Sequence, residues 1–231
     1  MANSGLSKNG SVIPMSRGKS REVLLAQGWP LSKVRACLRR RDRPRLVRFL
    51  RDRHRERFFK PIQYITAAKA NEQGFGFSVM ALCSLLVETV QSYRDGLPTT
   101  NRGELGRLTK LGRVPPAYQL PHNLHVTGEE EFRRFFRRYR GDFPGLRPAA
   151  FYRQIRNGIL HQGQTKGGWT VRKSGPGVCD PKRRIIYRDQ CAKALEVCFD
   201  KYLVELESYG WGKPIWTNAA RKIWWLIRLS G

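Results

Sequence analysis

Carboxylates are scarce in this 231-residue chain: 18 Asp and Glu face 44 Lys and Arg, a formal charge of +26 at pH 7. That imbalance excludes a surface built to hold cations or basic partners. A compact body so charged repels itself unless polyanions neutralise it. Nucleic acid is the first expected partner, and an anionic membrane surface the second. Arginine outnumbers lysine more than two to one, which favours forked phosphate contacts over point charges. Cysteines number only five, with no Cys-x-x-Cys pair and no Cys/His spacing of a metal site. A disulfide framework and a zinc module are therefore not expected, and a reducing, cytoplasmic compartment is. No metal or other cofactor is expected. Residues 1–20 are polar and lack the apolar centre of a secretory signal. The longest apolar run, 77–90, contains Glu88 and falls short of a bilayer's thickness, so stable membrane insertion is not expected. Hydrophobic residues at 40% and aromatics at 11% supply enough material for a real core and exclude wholesale disorder.

The pattern of the remaining residues predicts a mainly α protein in three parts. A basic, partly helical extension covers 1–57, a helical domain covers 58–208, and an amphipathic helix covers 209–231. Within the first part, 1–16 reads as a disordered lead and Ser20 as the cap of a short helix reaching Ala26. Leu31, Val34 and Leu38 recur at helical spacing, and Pro44 suits the start of another helix. Residues 75–93 form the best helix, apolar nearly all round and so expected at the buried centre of a bundle. Residues 97–126 read as a long connection with one short helix.

Thr127 and Glu130 have the spacing of a capping box. Phe132, Phe135, Phe136 and Tyr139 follow at core spacing, with Arg133, Arg134, Arg137 and Arg138 on the other face. Pro148 opens a helix with Phe151, Ile155 and Ile159 on its inner side, and Gly163 closes it. Trp169-Val171 and Ile185-Tyr187 read as the strands of a small β-hairpin inserted before the penultimate helix. That helix runs from a cap at Asp189 to Glu207, with Ala192, Leu195, Val197, Phe199, Tyr202 and Leu206 inward. Cys83, Cys191 and Cys198 read as core. A last helix, 217–229, follows Trp216 and carries Trp224 and Trp225 with Arg221, Lys222 and Arg228, and is expected to pack on the bundle or on a second subunit.

One stretch stands out for chemistry: Arg156-Asn157-Gly158-Ile159-Leu160-His161. A permanent cation and a group that titrates near neutrality stand five positions apart on an amphipathic helix. Spacing alone does not single them out, since Arg48 and His54 have a similar separation. His54, however, sits among Arg51, Arg53, Arg55 and Arg57 and reads as a surface residue. On an ideal helix, positions five apart point about 140° from each other. A two-fold dimer is one way to gather both side chains into one cleft. Asn157-Gly158 is also a common turn pair, capable of breaking the helix.

Arg156, Asn157 and His161 resemble the Arg-x4-6-His motif of HEPN (higher eukaryotes and prokaryotes nucleotide-binding) domains, in which a polar residue often follows the Arg. The likeness covers about residues 58–208. It implies an α-helical bundle and a polar residue facing the site from an earlier core helix, for which Glu88 is the match. It further implies a homodimeric, metal-independent endoribonuclease of toxin or antiphage-defence systems, or a relative that only binds nucleic acid.

The chemistry of the residues agrees with that activity. RNA carries its own nucleophile, the 2′-hydroxyl. His161 is suited to accept its proton, and Arg156 to hold the non-bridging phosphate oxygens as their charge grows. Asn157 is suited to position a phosphate or the imidazole, and Glu88 to hold Arg156. The expected products are a 2′,3′-cyclic phosphate and a 5′-hydroxyl. Arg153, Lys166, Arg133 and Arg137 are the expected RNA contacts. A protein partner or antitoxin is expected where the activity is toxic. Two other readings stand beside this one: a catalytically silent nucleic-acid-binding subunit of a defence complex, and a basic protein acting on membranes through its Trp-rich terminus.

Overall fold

The computed structural model describes residues 22–67, 75–99, 102–108, 110, 114–120 and 127–231. The expected lead at 1–16, the Ser20 cap and parts of the 97–126 connection lie outside those residues. The chain is mainly helical. A two-stranded antiparallel ribbon comes first, β1 (Leu24–Ala26) and β2 (Trp29–Pro30), turning at Gly28, whose φ is 72°. A helix was expected up to Ala26. Extended backbone wins because Leu25, Ala26 and Trp29 are buried, and Arg53 and Arg57 both donate to the Leu25 carbonyl. The Trp29 indole N–H also donates to Asp52, at 2.8 Å.

Helices α1 (Leu31–Arg39) and α2 (Arg43–His54) follow. Asp42 caps α2 by accepting from the Arg45 N–H, and Pro44 occupies its first turn, where no N–H is needed. A π-helical turn, Arg55–Phe59, carries the chain straight into α3 (Lys60–Ala67). Helix α4 (Phe75–Asp95) is the centre of the bundle and packs against α6, α9 and α10. Helix α5 (Arg102–Leu108) and a 3₁₀ turn, Pro116–Tyr118, lead to α6 (Gly128–Arg138). Thr127 accepts from the Glu130 N–H at the start of α6, as its capping pattern predicts. The next helix is continuous but built in three pieces: α7 (Pro148–Ala150), a π turn (Phe151–Arg156) and α8 (Asn157–Gln162).

The short strands that follow differ from the expected pairing. β3 (Thr170–Arg172) lies parallel to β5 (Ile185–Tyr187), and β4 (Cys179–Asp180) is antiparallel to β5. The hairpin before the penultimate helix is thus β4–β5, with β3 added on the far side of β5. Ile185, Ile186 and Tyr187 are all buried, and a strand covered on every side suits the centre of a sheet. Helix α9 (Arg188–Ser208) starts one residue before Asp189, which lies in its first turn rather than at its cap. Helix α10 (Pro214–Ser230) closes the fold.

One apolar cluster runs from Leu25 to Ile227. The basic helices α1 and α2 and the tryptophan-bearing α10 share it with α4 and α9, and α10 lies against α1 and α4. Phe132, Phe135, Phe136 and Tyr139 are buried as their spacing predicts, and pack with Phe143 and Phe151. Two expectations of burial fail: Leu85 on α4 and Val197 on α9 are exposed. Helix α4 is longer than its sequence suggests and, by length and composition, apolar enough to cross a membrane. Half of its most apolar window is buried inside the bundle.

His54 reverses the surface reading. It is 1% exposed and stacked on Phe199 at 4.4 Å, with Phe58 and Tyr93 alongside. Its Nδ1 lies 2.8 Å from the Leu50 carbonyl, which can only accept, so Nδ1 carries the proton. Burial, the main cause, pushes its pKa down to about 3. The unfolded chain therefore binds a proton below about pH 6.5 that the native chain refuses, and stability is lost as pH falls from there toward 3. The expected loss by pH 4 is about 3 kcal/mol from this group alone. Urea unfolding of His54→Phe across pH 4–7 should show a clearly flatter acid limb than the parent; an identical limb would contradict this assignment.

Candidate functional site

The three-piece helix α7–α8 owes its course to both of its ends. Pro148 fixes the first turn, and Phe151, Ile155 and Ile159 bury its inner side. In the π turn the Asn157 N–H reaches back to the Tyr152 carbonyl, one residue further than in an α-helix. Gly163 ends the helix in the left-handed region, φ 68°, with its N–H on the Ile159 carbonyl. The chain then doubles back. The Lys166 N–H donates to the Gln154 carbonyl at 2.8 Å, and the Thr165 hydroxyl donates to the Trp169 carbonyl.

Gly158 makes that return possible. A Cβ built there lies 2.5 Å from the Gln164 carbonyl oxygen and 3.1 Å from the Thr165 Cα. The Asn157-Gly158 pair is therefore not a helix break. It stays helical, and its glycine lets the loop lie flat on the helix.

Glu88, Arg156, Asn157 and His161 meet at one place. Arg156 Nε donates to Glu88 Oε1 at 2.6 Å, across from α4. Arg156 Nη1 donates to Asn157 Oδ1 at 2.9 Å and lies 3.3 Å from His161 Nε2. A guanidinium has donors only, so in this contact Nε2 is the acceptor. The Tyr152 ring lies beside the guanidinium, 5.5 Å from centroid to Cζ, and packs in turn on Phe132. The divergence expected of positions five apart is overcome within a single chain. Glu88 and Asn157 bend the long Arg156 side chain along the helix surface toward the next turn.

Exposure is graded outward. Side-chain exposure is 12% at Glu88 and 17% at Arg156, and His161 is exposed. The cluster thus offers a braced cation beneath an accessible proton acceptor. Of the other expected contacts, Arg133 and Arg153 converge on Glu129 at 2.8 Å each, joining α6 to the π turn. Lys166 is half-buried in the return loop. Arg137 is exposed on α6, apart from this cluster.

Sequence reasoning missed three participants. Tyr152 reads as a plain helix anchor, yet its ring flanks the Arg156 guanidinium. Gly158 reads as a turn residue. Glu131, on α6, carries no signal in the sequence pattern. It is fully buried, and neither carboxylate oxygen has a hydrogen-bond partner. Burial first, then the charges of Glu88 and Asp95, push its pKa up to about 8, so at neutral pH it holds a proton. Among the described residues, no three His, Cys, Asp or Glu side chains could together hold a metal ion. No protein-family model, curated protein or solved structure matches the chain.

Replacing Gly158 with alanine should force the 164–166 loop off the helix, at a cost of about 1–3 kcal/mol in unfolding free energy. The Lys166 amide should also lose hydrogen-exchange protection. Undiminished stability and protection would refute the close approach.

Proposed function

We propose that this chain is a metal-independent endoribonuclease of HEPN type. The observation that carries the reading is the 3.3 Å approach of Arg156 Nη1 to His161 Nε2, with Nε of the same guanidinium held by Glu88. A phosphodiester resting on Arg156 has its neighbouring 2′-hydroxyl within reach of the imidazole. His161 Nε2 takes the 2′-hydroxyl proton as that oxygen bonds to phosphorus. The bond to the 5′-oxygen breaks, and that oxygen takes a proton from the imidazolium so formed or from His161 of a second copy. Arg156 stabilises the charge on the non-bridging oxygens in the transition state. Glu88, Asn157 and the Tyr152 ring fix its position in advance, which lowers the cost of organising it during reaction.

One surface feature supports a dimer around this site. Phe77, Ala81, Leu85 and Glu88 fall on one face of α4 by helical spacing. Phe77 and Leu85 are exposed there, an apolar stripe beside the Glu88–Arg156 pair. A second copy seated on that stripe brings two imidazoles near one substrate. An RNA-cutting activity that needs no cofactor endangers its own cell, so a restraining partner protein and a setting in cytoplasmic antiphage defence or a toxin system fit it.

The second reading is a silent nucleic-acid-binding subunit. It is favoured by the engagement of Arg156 itself, whose Nε and Nη1 are already occupied by Glu88 and Asn157.

Incubating the purified chain with mixed RNAs in EDTA and analysing the ends separates the two. Cleavage to 2′,3′-cyclic phosphate and 5′-hydroxyl ends is expected. His161→Ala should lower it about 10²–10⁴-fold, while RNA affinity stays nearly intact. Absence of any cleavage by the parent protein would leave the binding reading. Leu85→Asp should reduce the dimer fraction in sedimentation, and cleavage with it; a fully active monomer would remove the dimer from the scheme.

A further inference from the structure

A groove of about 940 Å³ lies at the N-terminal end of the motif helix, where Pro148 and Ala149 form one wall. Its rim carries four guanidinium groups, from Arg133, Arg137, Arg140 and Arg147. Its floor is apolar. Phe136 and Phe143 pack edge to face at 4.9 Å beneath it, and Leu146 lies at its side. The loop forming its wall is stiffened by Pro144 and Pro148 and turns at Gly145, φ 76°. Arg133 is paired with Glu129, but among the described residues no carboxylate pairs with Arg137, Arg140 or Arg147. The nearby Asp142 is committed to Lys201, at 2.6 Å. Three exposed, unneutralised arginines around a preformed apolar hollow call for a ligand with a flat ring and several negative charges.

We propose that this groove is a nucleotide subsite of the RNA track. It seats one unpaired base and its flanking phosphates while the scissile linkage lies at Arg156 and His161. The two places are joined along the same helix: Ala149 precedes Arg156 by seven residues, about 10 Å of rise. The Arg133–Glu129–Arg153 bridge lies between them. The subsite deepens the nuclease reading and rests on it for the identity of the strand. It also adds Arg140 and Arg147, which spacing along the sequence does not connect to the motif.

The test uses the full chain carrying His161→Ala, so that bound RNA stays whole. Arg137→Glu, Arg140→Glu and Arg147→Glu are added together. A control of equal charge change places Arg39→Glu, Arg40→Glu and Arg55→Glu at the C-terminal end of α1 and on the first π turn. Fluorescence anisotropy with a labelled unstructured 12-nucleotide RNA is read in EDTA across a salt series. The groove variant should lose at least about tenfold in affinity, and its log–log salt slope should fall by about two, as expected when three phosphate contacts go. The control should lose much less. A milder triple Arg→Ala variant, checked for an unchanged thermal midpoint, should reproduce the loss if charge reversal disturbs folding. Equal losses in groove and control variants, or none in either groove variant, would overturn the subsite. So would AMP binding that disappears in the groove variant while RNA affinity holds, since that marks a free-nucleotide site. Parent protein that binds RNA through the groove but never cuts it would sink the nuclease reading and leave the subsite standing.

Discussion

The Glu88–Arg156 pair is the constraint from which the candidate site follows. A guanidinium on a four-bond stem, left free, samples many positions and organises nothing. Tied to a carboxylate on the central helix and flanked by the Tyr152 ring, it presents Nη1 toward His161. The pair's worth is geometric more than energetic, because burying two charges costs nearly what their attraction returns. Its position is inherited from α4, which α6, α9 and α10 lock in place. The packed bundle therefore sets where the cation stands.

Scarcity of carboxylates gives the few that exist defined posts. Glu88 braces Arg156, and Glu205 holds Arg94 between α4 and α9, with the Tyr139 hydroxyl completing that cluster. Glu129 gathers Arg133 and Arg153, and Asp142 takes Lys201. With acids spent on joining helices, most exposed guanidiniums among the described residues have no carboxylate partner, and the field around the molecule stays strongly positive. That field is what draws a polyanion, independently of any catalytic step.

The interior also holds groups in their neutral forms. His54 is neutral because three aromatic rings and the core exclude the water its charged form needs. Glu131 keeps its proton for a similar reason, with Glu88 adding repulsion. Both groups tie the protein's charge state to its packing, which is why composition alone assigns His54 wrongly to the surface.

Local pattern determined much: the helical class, the long apolar course of α4, the cap at Thr127, the aromatic core of α6, and the candidacy of Arg156, Asn157 and His161. These are properties of periodicity and residue chemistry, which neighbours within a few turns suffice to express. Tertiary structure decided the rest. Whether Arg156 and His161 meet depends on a carboxylate 68 residues away, and helical angles alone point to divergence. The parallel pairing of β3 with β5, the extended run at Leu24–Ala26 and the burial of His54 all arise from contacts distant in sequence. So does the helical state of Gly158, where a returning loop needs the space that a side chain takes. Short-range patterns carry no record of which distant backbone will come to lie against them.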